Sequence, residues 1–254
     1  MRKIWMALAL LAAAAIFLPS GPRAQWRTPW SYNNAPDGPA HWGNLDPEYA
    51  ACNGKEQSPI DIRAAQKADL PALRFVDKTG PLTIINNGYT ALRVNYSPGN
   101  RNLLIVGNQQ YELTQFHFHH PSEEEINGRA SDMVLHLMYK SSDGKVAGVA
   151  VLLKSGNANP VVRELWKYMP PKAGKERLIP GVEVNPAGLL PRDTAYYTYV
   201  GSVTAPPCTE DVTWFVLKAR MEVSPAQIAK FAKLYPHDVR PVQPLNGRVV
   251  NESE

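Results

Sequence analysis

"QFHFHHPSE", residues 115–123, holds three of the chain's six histidines within four positions. Phe and His alternate with the period of a strand, where residues i and i+2 share a face. Gln115, His117 and His119 then point one way, and Phe116, Phe118 and His120 the other. Packing alone does not ask for this, since His is neither strongly apolar nor a favoured strand residue. In "MVLHLMYK", residues 133–140, His136 shares its face with Val134 and Met138. If the two runs are neighbouring strands, three imidazoles converge. Three nitrogens with an open fourth position are what a catalytic zinc takes. The competing reading is a set of hydrogen-bonded core histidines, which leaves three on one face unexplained.

Working outward, further short runs of strand character recur between turn residues. They are "LTIIN" (82–86), "ALRVNY" (91–96), "NLLIVG" (102–107), "VAGVAVLLK" (146–154), "YYTYVG" (196–201) and "VTWFVLK" (212–218). The tight turn "SSDGK" (141–145) favours antiparallel neighbours. Two helices interrupt the series. Asn159 caps one with Pro160 at its first position, and Val162, Leu165, Trp166 and Met169 fall on one face. Ser224 and Gln227 have capping-box spacing ahead of Ile228 and Phe231. The fold class is mainly β: a large, mostly antiparallel sheet with short peripheral helices. No repeat, low-complexity run or flexible linker divides residues 25–254, which read as a single domain.

Residues 1–24 read as a secretory leader: "MRK", an apolar run, then Pro-Ser-Gly. An uncleaved membrane anchor is the alternative, although the run is short for a spanning helix. Of 27 Lys and Arg, three lie in this leader, leaving 24 bases against 23 acids in the remainder. Such mixed, nearly balanced charge gives no electrostatic case for nucleic acid, and no second segment is built for a membrane. In an exported chain Cys52 and Cys208 pair naturally as one disulfide, two free thiols being the alternative. The leader implies secretion, and monomer and homodimer both remain open.

The histidine runs, together with "QSPIDI" (57–62), "NNG" (86–88), "TAPPCTEDVTWFVL" (204–217) and "RPVQPLNGR" (240–248), resemble the α-class carbonic anhydrases in their bacterial secreted form. The resemblance runs from about His41 to Arg248. It implies a twisted, mainly antiparallel sheet of about ten strands. It also implies one zinc ion on His117, His119 and His136 and reversible hydration of carbon dioxide to bicarbonate and a proton through a zinc-bound hydroxide. Thr204 matches the threonine that accepts a hydrogen bond from that hydroxide, and Glu123 the carboxylate that takes the threonine's own proton. Gln115 matches the acceptor that fixes the His117 ring. The carbon dioxide wall maps to Met138, Val146, Gly148, Val203, Val212 and Trp214, with Met138 filling the space that Gly148 leaves. Cis peptides are implied before Pro59 and Pro207, and a Cys52–Cys208 bond would pin the threonine loop.

Three departures from the family pattern bear on activity. Val134 stands where the family has a Glu two residues before the third ligand, so His136 is left without its acceptor. Of Glu123, Glu124 and Glu125, only the first matches a functional position, and the others read as surface. Tyr89 replaces the proton-shuttle His after "NNG", and a phenol of pKa near 10 is a poor carrier beside an imidazole near 6.5. His41 and His237 are candidate substitutes. Ala205 replaces a second threonine, and Asn44 a tyrosine expected after "HWG". The expectation is an enzyme of reduced turnover. The alternative is a carbonic-anhydrase-like domain with weak or no zinc, acting as a non-catalytic binding module.

Overall fold

The computed structural model describes residues 28–89 and 92–254; the leader assigned from the sequence lies outside the described residues. The main strands are β1 (Gly80–Ile85), β2 (Arg93–Asn95), β3 (Gln109–His119), β4 (Met133–Ser141), β5 (Val146–Ser155), β6 (Arg177–Val184), β7 (Tyr196–Gly201) and β8 (Val212–Leu217). They lie side by side in the order β6-β1-β2-β3-β4-β5-β8-β7, extended by Asn251–Glu252 and Gln66–Lys67. Three short strands flank this ten-strand path, making thirteen in the sheet. Most pairings are antiparallel, while β5 runs parallel to β8.

The β3–β4 register decides the architecture. Phe116 lies opposite Leu137 and Phe118 opposite Leu135, while His117 lies opposite His136. One face of this pair is therefore apolar and the other carries imidazoles. The apolar face forms the main core, in which Phe116, Phe118, Leu135 and Leu137 are fully buried. After the short helix α1 (Trp42–Leu45) near the start of the domain come helices α2 (Pro160–Tyr168) and α3 (Pro225–Ala232), which close this core. Phe118 packs edge-on against Trp166 of α2 at 4.9 Å between ring centroids.

The helix starts follow from their caps. The Asn159 side chain accepts from Val161 N and Val162 N at 2.9 and 3.0 Å, supplying acceptors to amides that an open helix end leaves unpaired. Ser224 and Gln227 form the reciprocal capping box of α3. Gln227 also donates to Asn159 O at 2.7 Å and accepts from Asn159 N at 3.0 Å, so one side chain ties both helix starts together. Val162, Leu165 and Trp166 are buried as their spacing predicts, and Met169 sits one residue past the helix.

Strand β6 was not legible in the sequence. Its residues are mostly exposed, it holds Pro180 and Gly181, and its pairing with β1 shifts between Leu178 and Glu183. An edge strand can keep a proline because one side of its backbone needs no ladder partner.

Candidate metal centre and active site

The site lies on the imidazole face of β3 and β4. Facing nitrogens of His117, His119 and His136 lie within 4.8 Å of one another. Their ring centroids are 4.9, 5.3 and 5.0 Å apart. Each ring spends its outer nitrogen on a fixed acceptor. His117 Nδ1 donates to Gln115 Oε1 at 2.8 Å, and His119 Nδ1 to the Asp238 carbonyl at 2.7 Å. His136 Nε2 donates to Glu124 Oε1 at 2.8 Å. Those bonds set the tautomers, so the bare nitrogens turned inward are Nε2, Nε2 and Nδ1. His119 Nε2 and His136 Nδ1 are buried without any hydrogen-bond partner. A buried acceptor left so costs free energy unless something occupies the point it faces. The donor set suits zinc: three neutral imidazoles, inward lone pairs and space on the fourth side.

Two expectations about acidic residues change here. Glu124 is not surface: it is fully buried and holds His136. Val134 is also fully buried, in the second apolar cluster, and leaves His136 without an acceptor on its own strand. The ring is nevertheless supported, because the loop after β3 folds back and delivers Glu124 to the same nitrogen. The acid run hid this, since three consecutive Glu read as solvated. A buried imidazole lacking its usual partner, with a surplus carboxylate nearby, is the signal that finds it.

Glu123 is buried beside the cluster, with Oε2 at 3.4 Å from His119 Nε2 and Oε1 accepting from Arg240 N at 2.9 Å. Burial pushes its carboxyl up to about 7, against the opposing pull of His136, the Arg240 amide and the Thr204 hydroxyl. Thr204 is thus its neighbour, although Oε2 makes no hydrogen bond within normal distance. Burial, with mutual repulsion, holds His117 and His119 well below the usual imidazole range. His136 also feels burial, but the Glu124 charge and bond and the Glu123 charge outweigh it and raise its pKa.

The threonine loop is built by "QSPIDI". Ser58 N donates to Ser202 Oγ at 3.0 Å, Ser202 N to Ser58 Oγ at 3.1 Å, and Gln57 Nε2 to Cys208 O at 3.2 Å. Cys52 and Cys208 form a disulfide across 156 residues, and the peptides before Pro59 and Pro207 are cis, as is that before Pro121. Trp214 Nε1 donates to Ser202 O at 2.9 Å, which sets the indole against the cavity.

A cavity of about 300 Å3 opens over the imidazoles, lined by His117, His136, Met138, Val203, Thr204 and Trp214 among others. Of the six residues expected on the apolar wall, Met138, Val203 and Trp214 line it. Val146 and Val212 pack behind them in the second apolar cluster. Gly148 lies beneath Trp214, whose ring atoms a Cβ there would meet at 2.7 Å. The Trp214 indole thus takes space that Gly148 leaves, and Met138 lies opposite Gly148 in the β4–β5 register.

Tyr89 stands at the rim, stacked on Trp30 with 4.2 Å between centroids and 14° between planes. His41 and His237 are exposed and do not line this cavity. Asn44 is likewise exposed and accepts from Asn53 Nδ2 at 3.0 Å. The tyrosine near the site is Tyr32, its ring edge-on to His119 at 6.5 Å. Arg93, opposite His117 in the β2–β3 register, adds a cation to the cavity wall, and its charge helps depress His117.

A three-imidazole cluster flooring an open cavity is the site of a class of mononuclear metalloenzymes. Residues 37–254 match the family described as eukaryotic-type carbonic anhydrase, and the chain belongs to that family. It is similar to a carbonic anhydrase of a Nostoc species, 41% identical over 85% of this chain and 83% of the relative. It is also similar to one of Klebsiella pneumoniae, 40% identical over 97% of this chain and 100% of the relative. The α-carbonic anhydrase of Thermovibrio ammonificans, solved with the inhibitor sulfanilamide, superimposes with a TM-score of 0.83 at 38% identity, covering 89% of this chain and 99% of that one. The enzymatic reading stands on these relatives. The non-catalytic alternative loses the observation that favoured it, since His136 has its acceptor in Glu124.

Proposed function

We propose that the protein catalyses the reversible hydration of carbon dioxide to bicarbonate and a proton with one zinc ion held by His117 Nε2, His119 Nε2 and His136 Nδ1. The observation that carries this is the inward convergence of three bare imidazole nitrogens, each ring fixed from behind. Bound zinc supplies Lewis acidity that brings a water's pKa to about 7, a value known from carbonic anhydrases themselves.

The chain's own groups supply orientation and exclusion. Glu123, aimed by the Arg240 amide, stands beside Thr204 as the acceptor for its hydroxyl hydrogen, which would leave the Thr204 oxygen to accept from the attacking group. Met138, Val203 and Trp214 present apolar surface beside the imidazoles, where an uncharged substrate rests without displacing a polar partner. Val146, Gly148 and Val212 support that wall from behind.

The proton exit is the weak step. Tyr89, stacked on Trp30, occupies the rim position where the family pattern has an imidazole to carry the proton. Turnover is therefore reduced in dilute buffer. Residues 1–24 act as a leader and 25–254 as the mature periplasmic domain, monomeric or homodimeric. The disulfide fits export, and among the described residues no helix is long and apolar enough to cross a membrane. Zinc content of the purified mature protein, with stopped-flow carbon dioxide hydration with and without a sulfonamide, tests the proposal. One zinc per chain with sulfonamide-sensitive hydration is expected; stoichiometric metal without inhibitable hydration overturns the catalytic reading.

A further inference from the structure

We propose that Glu124 is the positioning residue of the third imidazole, a carboxylate delivered from a loop because the ring's own strand offers no acceptor; this rests on the zinc reading above. The two strands make the contrast. On β3, His117 takes its acceptor from two residues earlier, where Gln115 shares its face and accepts at 2.8 Å. The same position relative to His136 on β4 is Val134, which lies opposite His119 and cannot accept. The outer nitrogen of His136 is fully buried and needs a partner from elsewhere.

The loop is built to bring one. Ser122 Oγ donates to the Glu124 carbonyl at 2.7 Å and accepts from Ser131 N at 2.7 Å, bracing the turn. The next residue, Glu125, enters a two-stranded parallel ladder opposite Asp61. With its backbone gripped on both sides, the Glu124 side chain has one direction to take, inward to His136 Nε2. Glu123, one residue earlier, is held separately by the Arg240 amide. Adjacent carboxylates thus serve two different partners.

A buried carboxylate is costly unless hydrogen-bonded, and this one spends an oxygen on an imidazole N–H. Its negative charge polarises the ring and makes the opposite nitrogen a stronger donor to a cation, as outer carboxylates do for metal-binding histidines. Glu124 thereby fixes the tautomer, the ring plane and the basicity of the third ligand.

The test compares wild type, Glu124→Ala, Glu124→Gln and the neighbouring control Glu125→Gln. Zinc affinity is measured by chelator competition, and the ring N–H resonances of the zinc-loaded protein by proton NMR. Expected are a loss of about 10–100-fold in affinity for Glu124→Ala, a smaller loss for Glu124→Gln, and no change for Glu125→Gln. The downfield His136 N–H resonance shifts or exchanges away while those of His117 and His119 stay in place. Should Glu124→Ala fail to fold, the isosteric Gln variant carries the same comparison. Zinc binding within twofold of wild type in the folded Glu124 variants, or a His136 resonance unmoved in them, overturns the proposal while leaving the zinc reading intact. A wild-type protein that takes up no zinc overturns both.

Discussion

Strand β3 presents two faces of opposite logic, and the difference shows how the sheet serves chemistry. On one face Phe116 and Phe118 meet Leu137 and Leu135 across β4 and are sealed by α2 and α3. There, shape and volume decide what fits. On the other face each imidazole is assigned a particular acceptor, one from a side chain on its own strand, one from a main-chain carbonyl and one from a loop carboxylate. There, the identity and direction of single atoms decide. Each face positions the other: the packed side fixes the register that brings His117 opposite His136.

A mirrored pair of substitutions one residue apart gives the largest effects and would break this comparison if the faces were not separable. Phe118→Ala removes a fully buried ring and should cost about 3–5 kcal/mol, read as a lower urea midpoint, with zinc stoichiometry preserved in the folded fraction. His119→Ala should do the reverse. Chelator competition should show zinc affinity falling by more than the roughly 100-fold of a lost outer partner, with the metal-free urea midpoint moving less than in Phe118→Ala.

The rim sharpens the contrast, because there the polar face meets solvent. Tyr89→His should raise carbon dioxide hydration in dilute buffer. The gain should stay within the roughly 10²–10⁴-fold that a positioned proton-transfer group contributes, and should shrink as imidazole buffer is added. Stopped-flow rates across a buffer series check it, and a wild-type rate indifferent to buffer would contradict the assigned bottleneck.

The smallest effect concerns a polar intrusion on the packed side. Asp77 is half-buried, one of its carboxylate oxygens lacks a hydrogen-bond partner, and burial pushes its carboxyl up from 3.8 to about 6. A carboxyl raised by folding favours the fold while protonated, and that contribution is lost as pH rises through about 6. Asp77→Asn should therefore unfold at a higher temperature than wild type at pH 8 and show no such gain at pH 4. Thermal unfolding at the two pH values decides it.

Periodicity made the central strands legible, because β3, β4 and β5 alternate or run apolar between clear turns. The caps at Asn159 and Ser224 were legible because side-chain chemistry near a helix start is local. Strand β6 was hidden because an exposed edge needs no apolar pattern. Glu124 was hidden for a related reason. Its burial depends on where Ser122, Ser131 and the Asp61–Glu125 ladder send the chain, and that is long-range information. The tyrosine near His119 is Tyr32 and not the position of Asn44, since order along an irregular segment does not say which residue turns inward. Trp30 was missed at the rim on the same grounds.

Arg240 performs two jobs with different parts of itself. Its amide holds Glu123, while its guanidinium donates to Gln57 Oε1, the Ser58 carbonyl and the Cys52 carbonyl at 2.7, 2.9 and 3.1 Å. No substitution there except proline removes the amide N–H, yet any that loosens the guanidinium frees the backbone that aims it. Damage to architecture at that position would be read out as impaired chemistry, and a screen scoring turnover alone would mistake a structural keystone for a participant in the reaction.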